Sequence, residues 1–165
     1  MDENVSSQWA NVETQYQRRA DLIPNLVNTV KGYASHEENT LTEVVNARAK
    51  ATQMQLNIDQ LDEATLKKLS NVQGELSSAL SRLMAISENY PDLKANQNFL
   101  DLQAQLEGTE NRIAVERRKF NDVARSYNAF ILQFPRNLVA GMFGFTSKPY
   151  FEANAGAENA PKVEF

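Results

Sequence analysis

The chain contains no cysteine and a single histidine, His36, among its 165 residues. Without cysteine it can form neither disulfides nor thiolate metal sites, and it has no cysteine nucleophile. The stretch "SHEENT" begins like the zinc motif H-E-x-x-H, but Thr40 stands where the second histidine is needed. A histidine-activated nucleophile also lacks its usual sequence context. We therefore expect no metal, no cofactor and no catalytic residues.

Positive charge and long apolar runs are also scarce. The 17 Lys and Arg residues are outnumbered by 21 Asp and Glu residues, which gives a net charge of −4. Such a chain has no positive field to hold nucleic acid, so nucleic acid is not an expected partner. No run approaches the roughly 20 apolar residues of a membrane-spanning helix. Nucleotide-binding loops of the G-x-x-x-x-G-K-[ST] type are missing as well.

Apolar residues recur every seven positions in three stretches of the chain. A repeat of this kind, with polar residues between its members, is typical of amphipathic helices in a left-handed bundle. It predicts an all-α fold, an up-and-down bundle of three to four long antiparallel helices. The repeats are Trp9, Tyr16, Ile23 and Val30, then Leu69, Leu76, Leu83 and Tyr90, and finally Phe99, Leu106, Ile113, Phe120, Tyr127 and Phe134.

Turn-forming residues place the boundaries of the later helices. The second helix should span about 62–89, with Asp62 as its N-cap. The third should span about 97–134, with Asn96 or Asn98 as its N-cap. These lengths correspond to roughly 40 and 55 Å of helix.

The first helical stretch, 3–56, leaves the topology open. As one helix it would reach roughly 80 Å, longer than either of its partners. It either projects beyond the bundle, or breaks near Pro24 into two helices of a four-helix bundle. Because the heptad phase passes the proline without a slip, we favour one long helix that is kinked at Pro24.

The C-terminal part of the chain has a different composition. Residues 136–152 are apolar but interrupted by glycines, and we expect them to form a strap over one end of a bundle spanning 1–152. Residues 153–165 are small and polar, so we expect a flexible tail. The tail ends in "KVEF", which makes Val163, Phe165 and the free carboxylate a candidate ligand for a PDZ-type domain.

Polar side chains interrupt two of the apolar stripes. Arg19 falls in the series of Val12 and Leu26, which directs its guanidinium toward the core. Thr109 and Glu116 occupy a companion stripe of the third helix. A buried arginine needs a carboxylate, so we favour a buried ion-pair network that fixes helix register. The alternative is a polar groove near Arg19 and Glu116 that takes a partner segment, a small ligand or a substrate.

Three segments together resemble the LemA family of bacterial proteins: "WANVETQYQRRADLIPNLVNTVKGYASHE", "YPDLKANQNFLDLQAQLEGTENRIAVERRKFNDVARSYN" and "FGFTSKPYFE". The resemblance extends to about Glu152. It implies four antiparallel helices behind a single N-terminal transmembrane helix, with no established enzymatic activity. The helical pattern here begins within a few residues of Met1, so we expect that an anchor has been removed. A native start with Asp2 as a helix cap is the alternative.

The expected function follows from the bundle and the resemblance. We expect a non-catalytic scaffold or protein-interaction module, anchored by one membrane-spanning helix, with no side of the membrane assigned. Its partner would be an unidentified protein, for which association with the membrane is one expectation, and self-association through the heptad faces is a further expectation. The candidate interaction or structural cluster consists of Arg18, Arg19, Asp21, Pro24, Asn25, Glu110, Asn111, Arg112 and Glu116.

Overall fold

The computed structural model describes residues 2–54, 62–132, 141–142, 144 and 147–151. Within these ranges the chain is helical except for turns and short segments without regular secondary structure, and it contains no strand. The all-α prediction is therefore confirmed. The helices are α1 (Asp2–Lys31), α2 (Glu38–Gln53), α3 (Glu63–Ser87), the single-turn α4 (Pro91–Lys94) and α5 (Gln97–Leu132).

The four long helices pack as two antiparallel pairs, α1 with α5 and α2 with α3. Near the end of α1, Thr29 accepts a 2.8 Å hydrogen bond from Asn98 at the start of α5. Near the start of α1, Gln8 donates to the carbonyl of Glu116, much further along α5, at 3.0 Å. Ion pairs between α2 and α3 run in the same antiparallel sense. The described part of the chain therefore contains four long helices.

The prediction of one continuous helix over 3–56 is wrong, because a turn at 32–37 separates α1 from α2. Gly32 has a low helix propensity and destabilises the helix at this point. The amide of Ala34 donates a hydrogen bond to the carbonyl of Val30 at 2.8 Å. Ala34 is itself fully buried. The apolar stripes of α1 and α2 thus face the same core. The seven-residue repeat therefore continues across the turn, although the chain reverses its direction there.

Helix α1 continues through Pro24, which is exposed. Proline has no amide hydrogen, so the carbonyl of Ala20, one turn earlier, loses its usual donor within the helix. Arg48 of α2 supplies a replacement, because its Nε donates to this carbonyl at 2.8 Å. The proline therefore creates an acceptor through which α2 is bonded to α1.

The predicted N-caps of α3 and α5 are confirmed. The Asp62 carboxylate accepts the amide of Thr65 at 2.7 Å, and the Thr65 hydroxyl accepts the amide of Asp62 at 3.0 Å. This reciprocal pair is a capping box. At α5, the side chain of Asn96 accepts the amide of Phe99 at 2.9 Å. The predicted end of this helix near 134 lies outside the described residues.

The buried apolar side chains form two separate clusters. The first surrounds the turn between α1 and α2 and includes Ile23, Leu26, Val30, Leu41, Val44, Leu76, Leu83, Leu93 and Phe99. The second lies toward the start of α1 and includes Val5, Trp9, Val12, Leu66, Leu69, Ile113, Phe120, Tyr127 and Phe151. Between the two, α1 contributes Arg19, which is 1% exposed. The core is therefore divided by a buried charge.

Residues 147–151 have no regular secondary structure and are hydrogen-bonded to side chains of α5, and we call them the docked segment. They belong to the predicted strap, 136–152. Most of the remaining strap and the tail at 153–165, with Val163 and Phe165, lie outside the described residues. The flexible tail and its PDZ-type ligand remain predictions.

Candidate functional site

The buried charge between the two apolar clusters is an enclosed ion pair. Arg19 Nη1 lies 2.7 Å from Glu110 Oε1, and the two side chains are 1% and 3% exposed. A buried arginine is stable only when its charge is balanced and its N–H groups are bonded. Glu110 supplies the opposite charge from α5, so the pair links the first and last long helices.

Helix α3 supplies the remaining partners of Arg19. Nη1 also donates to Ser77 Oγ at 2.6 Å, and Nη2 donates to the carbonyl of Gln73 at 3.2 Å and to its side-chain oxygen. The Arg19 side chain thus connects its own helix, α1, with α3 and α5 at one level of the bundle. We call Arg19, Gln73, Ser77 and Glu110 the arginine layer.

Glu116 does not belong to the arginine layer. Its Oε2 accepts a 2.6 Å hydrogen bond from Gln8, well toward the start of α1. The expected groove shared by Arg19 and Glu116 is therefore not formed, because Arg19 faces Glu110 instead. Thr109, which shares a heptad series with Glu116, is 4% exposed and donates to the carbonyl of Gln105 in its own helix.

The rest of the predicted cluster lies on the surface. Arg18 is the residue before Arg19, and Asn111 is the residue after Glu110. These two exposed residues therefore lie at the level of the arginine layer. The predicted cluster thus separates into a buried pair and an exposed set. The exposed residues are Arg18, Asp21, Pro24 and Asn25 on α1, and Asn111 and Arg112 on α5.

Three buried polar atoms near this layer have no hydrogen-bond partner within the described part of the chain: Gln15 Oε1, Tyr16 Oη and Arg19 Nε. The Arg19 guanidinium lies 5.6 Å from the centre of the Tyr16 ring, within cation–π range. Burial raises the pKa of the Tyr16 phenol above its ordinary value, although Arg117 and Arg19 act in the opposite direction. Tyr16 is therefore a neutral neighbour of the buried arginine.

A cavity of about 270 Å³ adjoins the arginine layer between α1, α2 and α3. Its lining combines apolar and polar side chains, among them Trp9, Glu13, Tyr16, Leu69 and Gln73. Partial burial raises the pKa of the Glu13 carboxyl above its usual value near 4.5, and a hydrogen bond with Trp9 partly opposes this. Glu13 is thus the acidic group of the cavity.

The raised pKa of Glu13 predicts a pH effect on stability. A carboxyl whose pKa is higher in the folded protein favours folding at low pH, and this contribution is lost as pH rises through that pKa. Glu13→Gln should therefore gain stability relative to wild type between about pH 4 and pH 7, as measured by urea unfolding. Glu3→Gln, an exposed position on α1, controls for net charge. An equal difference between wild type and Glu13→Gln at both pH values would contradict this prediction.

The described residues also bear on metal binding and membrane insertion. No group of three or more His, Cys, Asp or Glu side chains there is placed to hold a metal ion. No helix in the same ranges is both long and apolar enough to cross a membrane. His36 lies exposed in the turn between α1 and α2.

Sequence reasoning missed four residues that make notable contacts. Arg48 bonds the carbonyl freed by Pro24, and no pattern in the sequence indicated this. Asn121 and Asn128 bond the backbone of the docked segment, and Phe151 fills a place in the core. The seven-residue spacing of the two asparagines was an available signal.

The fold and the arginine layer define an antiparallel four-helix bundle whose core is divided by an enclosed ion pair. The chain belongs to the LemA family, whose model matches residues 8–165. It is 31% identical over 170 residues to magnetosome protein MamQ 2 of Paramagnetospirillum magneticum. It is 29% identical over 168 residues to magnetosome protein MamQ of Magnetospirillum gryphiswaldense. It is 25% identical over 144 residues to protein LemA of Metamycoplasma hominis.

These alignments cover most of the chain but a smaller share of the relatives. They include 92% of the chain for the two magnetosome proteins and 87% for protein LemA. In each case they include 62% of the relative's own length.

Proposed function

We propose that the protein is a non-catalytic helical-bundle scaffold that presents a surface to a protein partner at a membrane. The arginine layer carries this proposal. Its charged groups bond one another and α3 inside the bundle, so they hold the helices in register. A buried pair used in this way offers no open charge for chemistry.

The partner surface that we assign is the exposed set at the level of the arginine layer. Arg18 and Asp21 on α1 and Arg112 on α5 are all exposed. The buried pair fixes α1 against α5, so these charged groups keep a constant spacing. A rigid surface loses little entropy on binding, which favours its use as a docking site.

Membrane attachment belongs to the same proposal. A single helix ahead of the bundle would supply the anchor, as the resemblance to the family implies. The chain spans 62% of the length of the relatives above. No side of the membrane is assigned.

Cross-linking and affinity capture of the full-length protein from its own membranes tests this function. We expect a reproducible protein partner whose recovery falls at least about fivefold when Arg18 and Arg112 are both replaced by alanine, because arginine is enriched among the interface residues whose truncation costs about 2 kcal/mol or more. Lys67→Ala with Lys68→Ala is the matched control, since both lysines are exposed on α3. The absence of a reproducible partner, or equal recovery with both double variants, would contradict the proposal.

Binding of a small ligand is a second candidate function, favoured by the cavity beside Glu13. Its volume of about 270 Å³ lies just below the usual range for small-molecule sites. We rank it second because the arginine of the layer faces Glu110 rather than this space. Native mass spectrometry of the captured protein would report such a ligand as added mass.

A further inference from the structure

Two asparagines of α5 bond the backbone of the docked segment in the same way. Asn128 donates from Nδ2 to the carbonyl of Lys148 at 2.8 Å and accepts the amide of Lys148 at 2.6 Å. Asn121 donates to the carbonyl of Phe151 at 3.3 Å and accepts the amide of Phe151 at 2.8 Å. Each asparagine therefore satisfies both backbone groups of one residue.

The spacing of this asparagine pair matches an extended chain. Seven residues of helix rise about 10.5 Å, and three residues of extended chain cover about 10 Å. Asn121 and Asn128 are seven apart on α5, and the residues that they bond, Lys148 and Phe151, are three apart. Helix α5 thus offers a binding site for an antiparallel extended peptide. We call Asn121 and Asn128 the asparagine pair, or the template, and it bonds the backbone atoms of the peptide.

Side chains of the docked segment add specificity, because the Tyr150 hydroxyl accepts a 2.8 Å hydrogen bond from Asn128 and the Phe151 ring is buried. Phe151 is 7% exposed and lies 6.2 Å from the ring of Trp9 and 5.6 Å from that of Phe120. The Arg117 guanidinium lies 4.5 Å from the centre of the same ring. The site therefore takes an extended segment with an aromatic residue at one of its two bonded positions.

Other surfaces offer less to a second copy of the chain. Members of the heptad stripes such as Ile23, Leu76 and Phe99 are buried inside their own bundle. The template, in contrast, binds a segment through backbone bonds, the Tyr150 hydroxyl and the Phe151 ring. Those contacts are the same whether the segment belongs to the same chain or to an identical one.

We propose that two copies of this protein associate by exchanging their docked segments, so that the 147–151 segment of one occupies the asparagine pair of the other. The structure shows that the docked segment of this chain fits the site, so an identical segment from a second copy fits it as well. The docked segment is connected to the end of α5 by the 14 residues from 133 to 146. A chain of this length can span at most about 50 Å. That reach exceeds the distance of about 10 Å between packed helices.

Exchange depends on concentration. Within one chain the segment competes at an effective concentration in the millimolar range, so dilute protein remains monomeric. Crowding of chains raises the share of exchanged dimers, because the contacts made within and between chains are identical. The inference goes beyond the proposed function, and it can hold or fail independently of the surface around Arg18 and Arg112.

Two complementary variants of the full chain test the exchange. Asn121→Ala with Asn128→Ala removes the template but keeps the segment, and alanine is compatible with the helix. Phe151→Pro removes both the ring and the amide that Asn121 accepts, but keeps the template. Sedimentation equilibrium should show each variant alone as a monomer and an equimolar mixture as a one-to-one heterodimer. Mixing the first variant with wild type should give at least about tenfold less heterodimer, because the wild-type site is already filled.

A mixture that sediments as two monomers, with both variants showing wild-type helical content by circular dichroism, would overturn the proposal. Should the asparagine variant fail to fold, a labelled peptide of sequence SKPYF replaces it. The peptide should bind the Phe151→Pro protein saturably, as followed by fluorescence anisotropy, and failure to bind would equally overturn the proposal. Peptide binding without heterodimers would retain the peptide site and rule out exchange.

Discussion

Replacing Arg19 with alanine is expected to lower the free energy of unfolding by about 3–5 kcal/mol, the usual effect of removing one partner of a buried ion pair. The Glu110 carboxylate, 3% exposed, would remain in the core without its cation. Gln73 and Ser77 would also lose the guanidinium that they accept from. Urea unfolding followed by circular dichroism at neutral pH measures the change.

A double replacement separates the charge from the packing. Arg19→Met with Glu110→Met removes both charges and keeps apolar volume, which is often neutral or stabilising at buried pairs. It should therefore recover much of the stability lost by Arg19→Ala. Arg18→Ala, at an exposed position next to it, should change stability by less than about 0.5 kcal/mol. A loss below about 1 kcal/mol for Arg19→Ala would contradict an arginine that is buried and paired.

The sequence predicted the burial of Arg19 and placed Glu110 and Glu116 in one candidate cluster, but it did not decide which of them pairs with Arg19. The heptad count places Arg19 in the stripe of Val12 and Leu26, and helical geometry alone then directs it inward. The same count singled out Glu116, which shares a series with Thr109. Glu110 also faces the core, since it lies four residues after Leu106 and three before Ile113. The choice between these two glutamates depends on how far α1 and α5 are offset along their axes, and a periodic pattern does not contain that offset.

The reversal between α1 and α2 was missed for a related reason. A heptad pattern reports which side chains face the core, and it is silent about the direction of the chain. Pro24 was the more conspicuous helix breaker, yet its free carbonyl is bonded by Arg48. Helix α1 ends instead just before the glycine eight residues later, a residue of lower helix propensity. A proline is therefore tolerated when a neighbouring helix replaces the lost hydrogen bond.

The docked segment could not be predicted in detail, because Asn121 and Asn128 bond its backbone atoms. Asn128 would bond the amide and carbonyl of almost any residue at position 148. A sequence pattern reports the types of side chains. When a site binds backbone atoms, only the asparagines that bind them can be recognised in the sequence. Their spacing becomes informative once it is compared with the rise of an extended chain.

Phe120→Ala is expected to lower the free energy of unfolding by about 3–5 kcal/mol, the usual range for removing a buried aromatic ring. Phe120 is fully buried, and its ring centre lies 5.5 Å from that of Trp9 and 5.6 Å from that of Phe151. The variant therefore leaves a cavity where α1, α5 and the docked segment meet. Urea unfolding followed by circular dichroism gives the change directly.

The matched control is Phe130→Ala, the same replacement on the same helix at a residue that is 38% exposed. It should lose much less stability, because a partly exposed ring buries less area and leaves no enclosed cavity. Phe151→Ala combined with Phe120→Ala should cost less than the sum of the two single changes, since the rings contact each other and the second removes a partner already lost. Equal losses for Phe120→Ala and Phe130→Ala would contradict a core that depends on this aromatic cluster.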